Sequence, residues 1–302
     1  MDNSINVLSL FDGISCGQVA LKKANIKVNE YFASEIDKHA IKVTKSNFPN
    51  TKHIGDVRLV KSIDLPKIDL LMGGSPCQGF SFSGKQLNFE DPRSKLFFEF
   101  YRLIKETNPK YWLLENVVMK KEYQDIVSNY LGVEPIRLNS NLTSAQNRVR
   151  LYWSNFCIEE PVDQCIELKD ILENNEVINP AAIRGRKLVD KSIKDKLDIK
   201  DNIPYTQCLE VREKYTNKSN CLTTVAKDTV LTSMPIGRHS DAFNKKLPYR
   251  NYTKVERCRL MNLPDDYCDE ISLNQTVKAT GNGWDVGMIA HIFNEMNNIT
   301  FV

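Results

Sequence analysis

The 302-residue sequence predicts an α/β fold, a doubly wound and mostly parallel sheet with a smaller lobe placed late in the chain. Three observations lead there. Short apolar runs alternate with stretches of helical periodicity through the first 160 residues. Two of these runs end in chemically capable side chains, as strands of open parallel sheets do at their carboxyl edge. From about residue 171 the alternation gives way to charge-dense and Thr/Asn-rich stretches.

The elements follow in order. Residues 5–10 are an apolar strand, and 17–24 have helical spacing. Residues 30–34 read as a short strand and 37–47 as a helix. Residues 67–72 and 110–114 are further strands, separated by a helix over 95–107. Its apolar positions Leu96, Phe97, Phe100, Leu103 and Ile104 recur at steps of three and four. Residues 149–154 alternate like a strand. The charge-dense run 184–201 carries apolar residues at helical spacing, and 284–297 is a closing helix.

The bulk composition narrows the class. Hydrophobic content of 41% with 26% charged residues is that of an ordinary soluble globular chain. No apolar run approaches the roughly 18 residues of a membrane span. Met1-Asp2-Asn3-Ser4 lacks a basic region followed by an apolar core, so no secretory signal is expected and a cytoplasmic protein is. The eight cysteines include no C-x-x-C pair, which argues against a zinc site, and no metal is expected. Charge is uneven: residues 171–268 carry 18 Lys/Arg against 13 Asp/Glu, the remainder 23 against 25. The basic excess in the later segment hints at a polyanionic partner.

The chemistry concentrates in two places. Leu70-Leu71-Met72-Gly73-Gly74-Ser75-Pro76-Cys77-Gln78 runs an apolar strand into two glycines and sets a cysteine on a proline turn. About forty residues later, Tyr111-Trp112-Leu113-Leu114-Glu115-Asn116-Val117 ends a second strand in a carboxylate. A nucleophile and an acid on two strand ends of one sheet point to covalent catalysis with proton management. Ser75-Pro76-Cys77-Gln78, Glu115-Asn116-Val117, the earlier Asp12-Gly13 and the later Gln146-Asn147-Arg148-Val149-Arg150 resemble the cytosine-5 DNA methyltransferase family. Matching segments run in the family's order from residue 7 to about 150 and again from about 253 to 293.

The resemblance implies a Rossmann-like methyltransferase fold of bacterial or phage type, acting in the cytoplasm of a bacterial or phage-infected cell. It implies methyl transfer from S-adenosyl-L-methionine to carbon 5 of cytosine in double-stranded DNA, leaving S-adenosyl-L-homocysteine. Cys77 would be the nucleophile and Glu115 would hold ring nitrogen 3 and the exocyclic amine. Arg148 would hold the base carbonyl and orient Glu115, with Arg150 supporting that network or a phosphate. Phe11, Asp12, Gly13, Ile14 and Gly17 form a glycine-containing turn that would face the cofactor. Glu35 suits two ribose hydroxyls and Asp56 the adenine amine, with Ile36, Val57, Pro76 and Leu96 around them. Asn282 and Gly283 would close the methionine end. The family more often has serine and valine after that asparagine; Gly283-Trp284 is nearer to the vertebrate de novo DNA methyltransferases.

Carbon 5 lies inside the stacked duplex, so the base must be flipped out. Gln78, Ser81, Ser83, Lys85 and Arg93 fall in or after the segment resembling the family's mobile catalytic loop, as DNA contacts. Thr223 and Thr224 match a short element near the DNA. Arg212, Lys214, Arg238, His239 and Arg250 are candidate base readers, whereas Arg257 and Arg259 fall in a motif that packs the lobe against the rest. The expected division is a catalytic domain over 1–171, a target-recognition lobe over 172–268, and a segment 269–302 that returns to the catalytic domain. A cognate restriction endonuclease is an admissible partner, and the oligomeric state stays open. The rival readings are an RNA cytosine-5 methyltransferase on the same scaffold and an inactive DNA-binding relative.

Overall fold

The fold is drawn from a computed structural model, which describes residues 4–75, 95–174, 178–187, 205–211, 217–240 and 247–298. Its strands and helices are, in chain order, β1 (Ile5–Leu10), α1 (Cys16–Lys23), β2 (Val28–Ser34), α2 (Lys38–Asn47), β3 (Lys52–His53), β4 (Leu70–Gly73), α3 (Lys95–Thr107) and β5 (Tyr111–Val117). There follow α4 (Lys121–Leu131), β6 (Ile136–Asn139), β7 (Val149–Ser154), β8 (Asn179–Lys187), β9 (Tyr205–Val211), β10 (Val230–Thr232), β11 (Gly237–Ser240) and β12 (Arg250–Asn251). Helices α5 (Lys254–Leu260), α6 (Leu273–Asn282) and α7 (Val286–Asn298) complete the described chain.

Seven strands form the larger sheet in the order β3-β2-β1-β4-β5-β7-β6. Pairings β2/β3, β1/β2, β1/β4 and β4/β5 are parallel, while β5/β7 and β6/β7 are antiparallel. The expected doubly wound, mostly parallel sheet is therefore present, with the antiparallel pairs confined to one edge. Strand order reverses between β1 and β4, the position at which such sheets open a ligand crevice.

Successive side chains on a strand point to opposite faces, and the sheet is apolar on both. Val7, Leu70, Met72 and Leu113 belong to one buried cluster, with Ile289, Ile292 and Phe293 of α7. Leu8, Leu71, Trp112 and Leu114 belong to the opposite cluster, with Phe97, Phe100 and Leu103 of α3. The i, i+3, i+6 apolar positions of α3 bring it beneath β4 and β5.

The smaller sheet is antiparallel in the described pairs, in the order β11-β9-β8-β10-β12. Its own cluster is Ala181, Ile183, Leu209, Val211 and Val230. Helical spacing over 184–201 does not describe residues 184–187, which continue strand β8 and pair with β9. Pairing with β9 decides the conformation there, overriding a local periodicity read from short apolar runs. Residues 188–201 of that stretch lie outside the described residues. From Tyr252 onward the chain leaves this sheet, and Tyr252, Cys258, Leu260, Met261 and Tyr267 pack into the larger core. No described helix is long and apolar enough to cross a membrane.

Candidate active site

Strand β1 ends in an unusual turn. Phe11, Gly13 and Ser15 have φ of 58°, 59° and 56°, left-handed values that side-chain-bearing residues rarely adopt. The turn aims the Gly13 amide at Glu35 Oε2, 2.8 Å away. The other Glu35 oxygen accepts from the amides of Ile36 and Asp37 at 2.7 and 2.8 Å. Three backbone donors thus fix one carboxylate at the end of β2. Asp12 accepts from the Tyr31 hydroxyl at 2.6 Å and from Ser15, and burial pushes its pKa up to about 6. Asp56 is held by its neighbour Arg58, whose hydrogen bonds keep the Asp56 carboxyl below the usual carboxylate range.

These groups open onto a cavity of about 540 Å3 at the carboxyl edge of the larger sheet. Phe11, Gly13, Ile14, Glu35, Ile36, Asp56, Val57, Leu96 and Asn282 line it, and so do Glu115, Arg148 and Arg150. Asp12, Gly17 and Gly283 line a small recess beside it, together with Trp284. Pro76, Cys77, Gln78, Ser81, Ser83, Lys85 and Arg93 lie outside the described residues. Ser75, the last residue before them, lines the cavity, and Asn116 Nδ2 donates to its carbonyl and hydroxyl at 3.3 and 3.2 Å. The end of β5 thereby holds the segment that leads into Cys77.

The arginines divide their work differently from the sequence expectation. Arg148 does not orient Glu115. It is buried just before β7, and its guanidinium donates to the carbonyls of Leu222, Gly281 and Gly283 at 3.1, 3.1 and 2.5 Å. Arg150 is the partner: its Nε lies 2.9 Å from Glu115 Oε1. The reason is register. Antiparallel pairing of β5 with β7 sets Val117 opposite Arg150 and leaves Arg148 beyond the strand end, where free carbonyls attract it. Glu115 Oε2 accepts from the indole N–H of Trp284 at 3.1 Å, a contact across 169 residues that sequence reading missed. The one signal was the departure at Gly283-Trp284. Cys221 was missed as well: its Sγ lies 3.5 and 3.8 Å from the Arg148 and Arg150 guanidiniums. Burial raises that thiol's pKa, but the two cations outweigh it and hold the pKa below its ordinary value.

In the later segment, the Thr223 hydroxyl is taken up by Asp228 at 2.9 Å, and Thr224 is exposed. Arg250 does not present a free guanidinium for base reading, being held by the fully buried Glu256 at 2.7 and 2.8 Å. Arg257 is buried and donates to Thr280 Oγ1 at 3.1 Å and to the carbonyls of Thr223 and Val277 at 3.3 Å each. Burial pulls its pKa down to about 10. Arg259 pairs with Asp265. Arg212 and Lys214 lie outside the described residues.

Comparisons with known proteins agree with this geometry. A family model described as C-5 cytosine-specific DNA methylase matches residues 5–129. The type II methyltransferase M1.ScrFI of Lactococcus lactis subsp. cremoris is 32% identical, over 96% of this chain and 77% of that protein. The orphan methyltransferase M.Rho11sI of Bacillus phage rho11s is 41% identical over 38% of this chain and 23% of its own length. Among solved structures, Entamoeba histolytica methyltransferase EhMeth superposes with a TM-score of 0.70 at 17% identity, over 98% of this chain and 99% of that one. A Spodoptera frugiperda DNMT2 mutant gives 0.67 at 21% identity, over 98% and 100%. At these identities the two structures support the fold. With the extended match to M1.ScrFI, the chain belongs to the C-5 cytosine-specific DNA methylase family.

Proposed function

We propose that this chain methylates carbon 5 of cytosine in double-stranded DNA, using S-adenosylmethionine, through a covalent adduct of Cys77 with a flipped-out base. One observation carries the reading: the cavity brings Glu35, Asp56 and Phe11 together with Glu115 and Arg150 on the ends of adjacent strands. The cofactor fits the donor set. Glu35 offers a fixed anionic acceptor for paired hydroxyls, and Asp56 an acceptor for an exocyclic amine. Phe11, Ile36, Val57 and Leu96 supply an apolar bed for a purine, and the volume is that of a small-molecule site. Bound there, S-adenosylmethionine supplies an electrophilic methyl group on a sulfonium.

The chain's own residues do the rest. The Cys77 thiolate adds to carbon 6 of the ring, which makes carbon 5 nucleophilic. Glu115, held by Arg150 and Trp284, accepts from the exocyclic amine and, when protonated, donates to ring nitrogen 3, which offsets the negative charge that develops there as the ring is attacked. Once carbon 5 carries the methyl group, loss of its proton to water breaks the bond from Cys77 to carbon 6, expels the thiolate and restores the aromatic ring. Gln78, Ser81, Ser83, Lys85 and Arg93 are assigned to the DNA, and 172–268 to target recognition. Thr223 and Thr224 are assigned to the DNA as well. A type II setting, with a cognate endonuclease, is consistent with the names of the relatives.

The test is Cys77→Ser. Methyl transfer to plasmid DNA should fall at least ~1000-fold, because a hydroxyl without a dedicated base is a far poorer nucleophile. Calorimetric affinity for S-adenosylmethionine should stay within about twofold, the cofactor contacts lying elsewhere. Bisulfite sequencing of a plasmid carried in expressing cells should report 5-methylcytosine in one sequence context for wild type and none for the variant. Serine activity within about tenfold of wild type would rule out the covalent route.

A further inference from the structure

Trp284 sits where a cofactor wall and a catalytic acid meet. Its indole lines the small recess beside the main cavity, and its N–H reaches Glu115 Oε2 at 3.1 Å. The opposite oxygen of the same carboxylate is on Arg150 Nε at 2.9 Å. A carboxylate held at one oxygen can swing about its terminal bond; one held at both presents a single plane. The chain also leaves room for this contact. A Cβ at Gly74 would stand 2.8 Å from Trp284 Nε1 and 3.0 Å from Glu115 Oε2, so a side chain there would wedge into the hydrogen bond itself.

The backbone carrying the indole is pinned on both sides. The Gly283 carbonyl accepts from buried Arg148 at 2.5 Å. Asp285 is buried and caps α7 through the Met288 amide at 3.0 Å, with Thr143, Gln146 and Asn262 donating to it at 3.4 Å. A side chain rooted between two such anchors keeps its place without a ligand. This gives Arg148 a task in place of the one it does not perform, since it immobilises the segment from which Trp284 reaches Glu115.

We infer that Trp284 is a positioning residue for the methyl-transfer reaction, its indole N–H fixing the Glu115 carboxyl group against the target base. The inference rests on the proposed function, and the assay separates the two. Trp284→Phe keeps the ring and removes the donor. In tritium transfer from S-adenosylmethionine to unmethylated plasmid DNA, its kcat should fall about tenfold or more, with cofactor affinity by calorimetry within about twofold of wild type. Gly74→Ala should give the same split by intruding on the contact, and it stands independently if Trp284→Phe fails to fold. A kcat within about twofold of wild type in either folded variant overturns the positioning role. So does a loss of cofactor affinity that accounts for the whole defect, which would make Trp284 a wall of the cofactor pocket only. Wild-type protein run alongside distinguishes the failures: no methyl transfer by wild type removes the functional reading and this inference with it.

Discussion

The larger sheet and the smaller sheet answer different demands. The seven-stranded sheet is covered on both faces by apolar clusters, and its strand ends hold side chains from β1, β2, β5 and β7 around one cavity. The five-stranded sheet rests on five small or medium apolar residues, and the polar Glu210 and Thr232 on its strands are buried as well. Geometry that must hold to a fraction of an ångström is carried by a deep core. On the proposed assignment of 172–268 to target recognition, the surface of the smaller sheet would need less, since shallow packing tolerates substitution on its outer face. The two regions are joined by a hydrogen bond and a close backbone approach. Arg148 reaches the Leu222 carbonyl, and a Cβ at Gly281 would lie 2.4 Å from the backbone of Thr223.

The largest expected effect breaks the comparison at its boundary. Exchanging the 172–268 segment for that of a family member with known specificity should redirect methylation while retaining Cys77 chemistry, read by bisulfite sequencing with cofactor binding as the control for folding. A folded, active chimera that still marks the original sites would place recognition in the catalytic region.

Core substitutions sharpen the same contrast. Phe100→Ala should cost about 3–5 kcal/mol in urea unfolding and lower cofactor affinity, because Phe100 is fully buried in the cluster under β4. Leu209→Ala should cost about 2–4 kcal/mol, with its loss of amide-exchange protection confined to β8–β11 and cofactor affinity within about twofold. Equal loss of protection in β1, β4 and β5 for both variants would show that the regions unfold as one unit.

Within the larger sheet, Glu35→Ala should weaken S-adenosylmethionine binding by about 1–3 kcal/mol by calorimetry, leaving DNA affinity without cofactor nearly unchanged. Unaltered cofactor affinity would remove Glu35 from the site.

The smallest effect concerns Asp12. Its folded pKa, about 6, lies above the ordinary 3.8 because it is buried. Between those values the folded state keeps a proton that the unfolded state has lost, so this group's contribution to stability declines as pH rises through that window and stays reduced above it. Asp12→Asn should therefore flatten the slope, gaining on the order of 2 kcal/mol relative to wild type between pH 4 and pH 7.5. Thermal melts at the two pH values that shift in parallel would contradict this.

Much of the molecule was legible along the chain. Strand and helix periods are local, so β1, β4, β5 and α3 could be read from the spacing of their apolar residues. The Asp12-Gly13 turn, Glu35 and Glu115 were legible because a parallel sheet delivers its strand ends to one edge, and the expected lining residues that are described do converge there. Residues 184–187 resisted, since their strand state depends on hydrogen bonding to β9 rather than on their own spacing. The carboxylate's partners resisted for a related reason. Arg148 and Arg150 stand two residues apart, so strand alternation does not separate them; which one meets Glu115 is set by the register of β5 against β7 and by where β7 begins. Trp284 lies 169 residues from Glu115, and no local period encodes that approach. The sequence by itself determined which elements form and which residue types stand at their ends, because those depend on near neighbours. Only the tertiary structure decided which of those groups touch, because contact depends on how the elements are registered and packed.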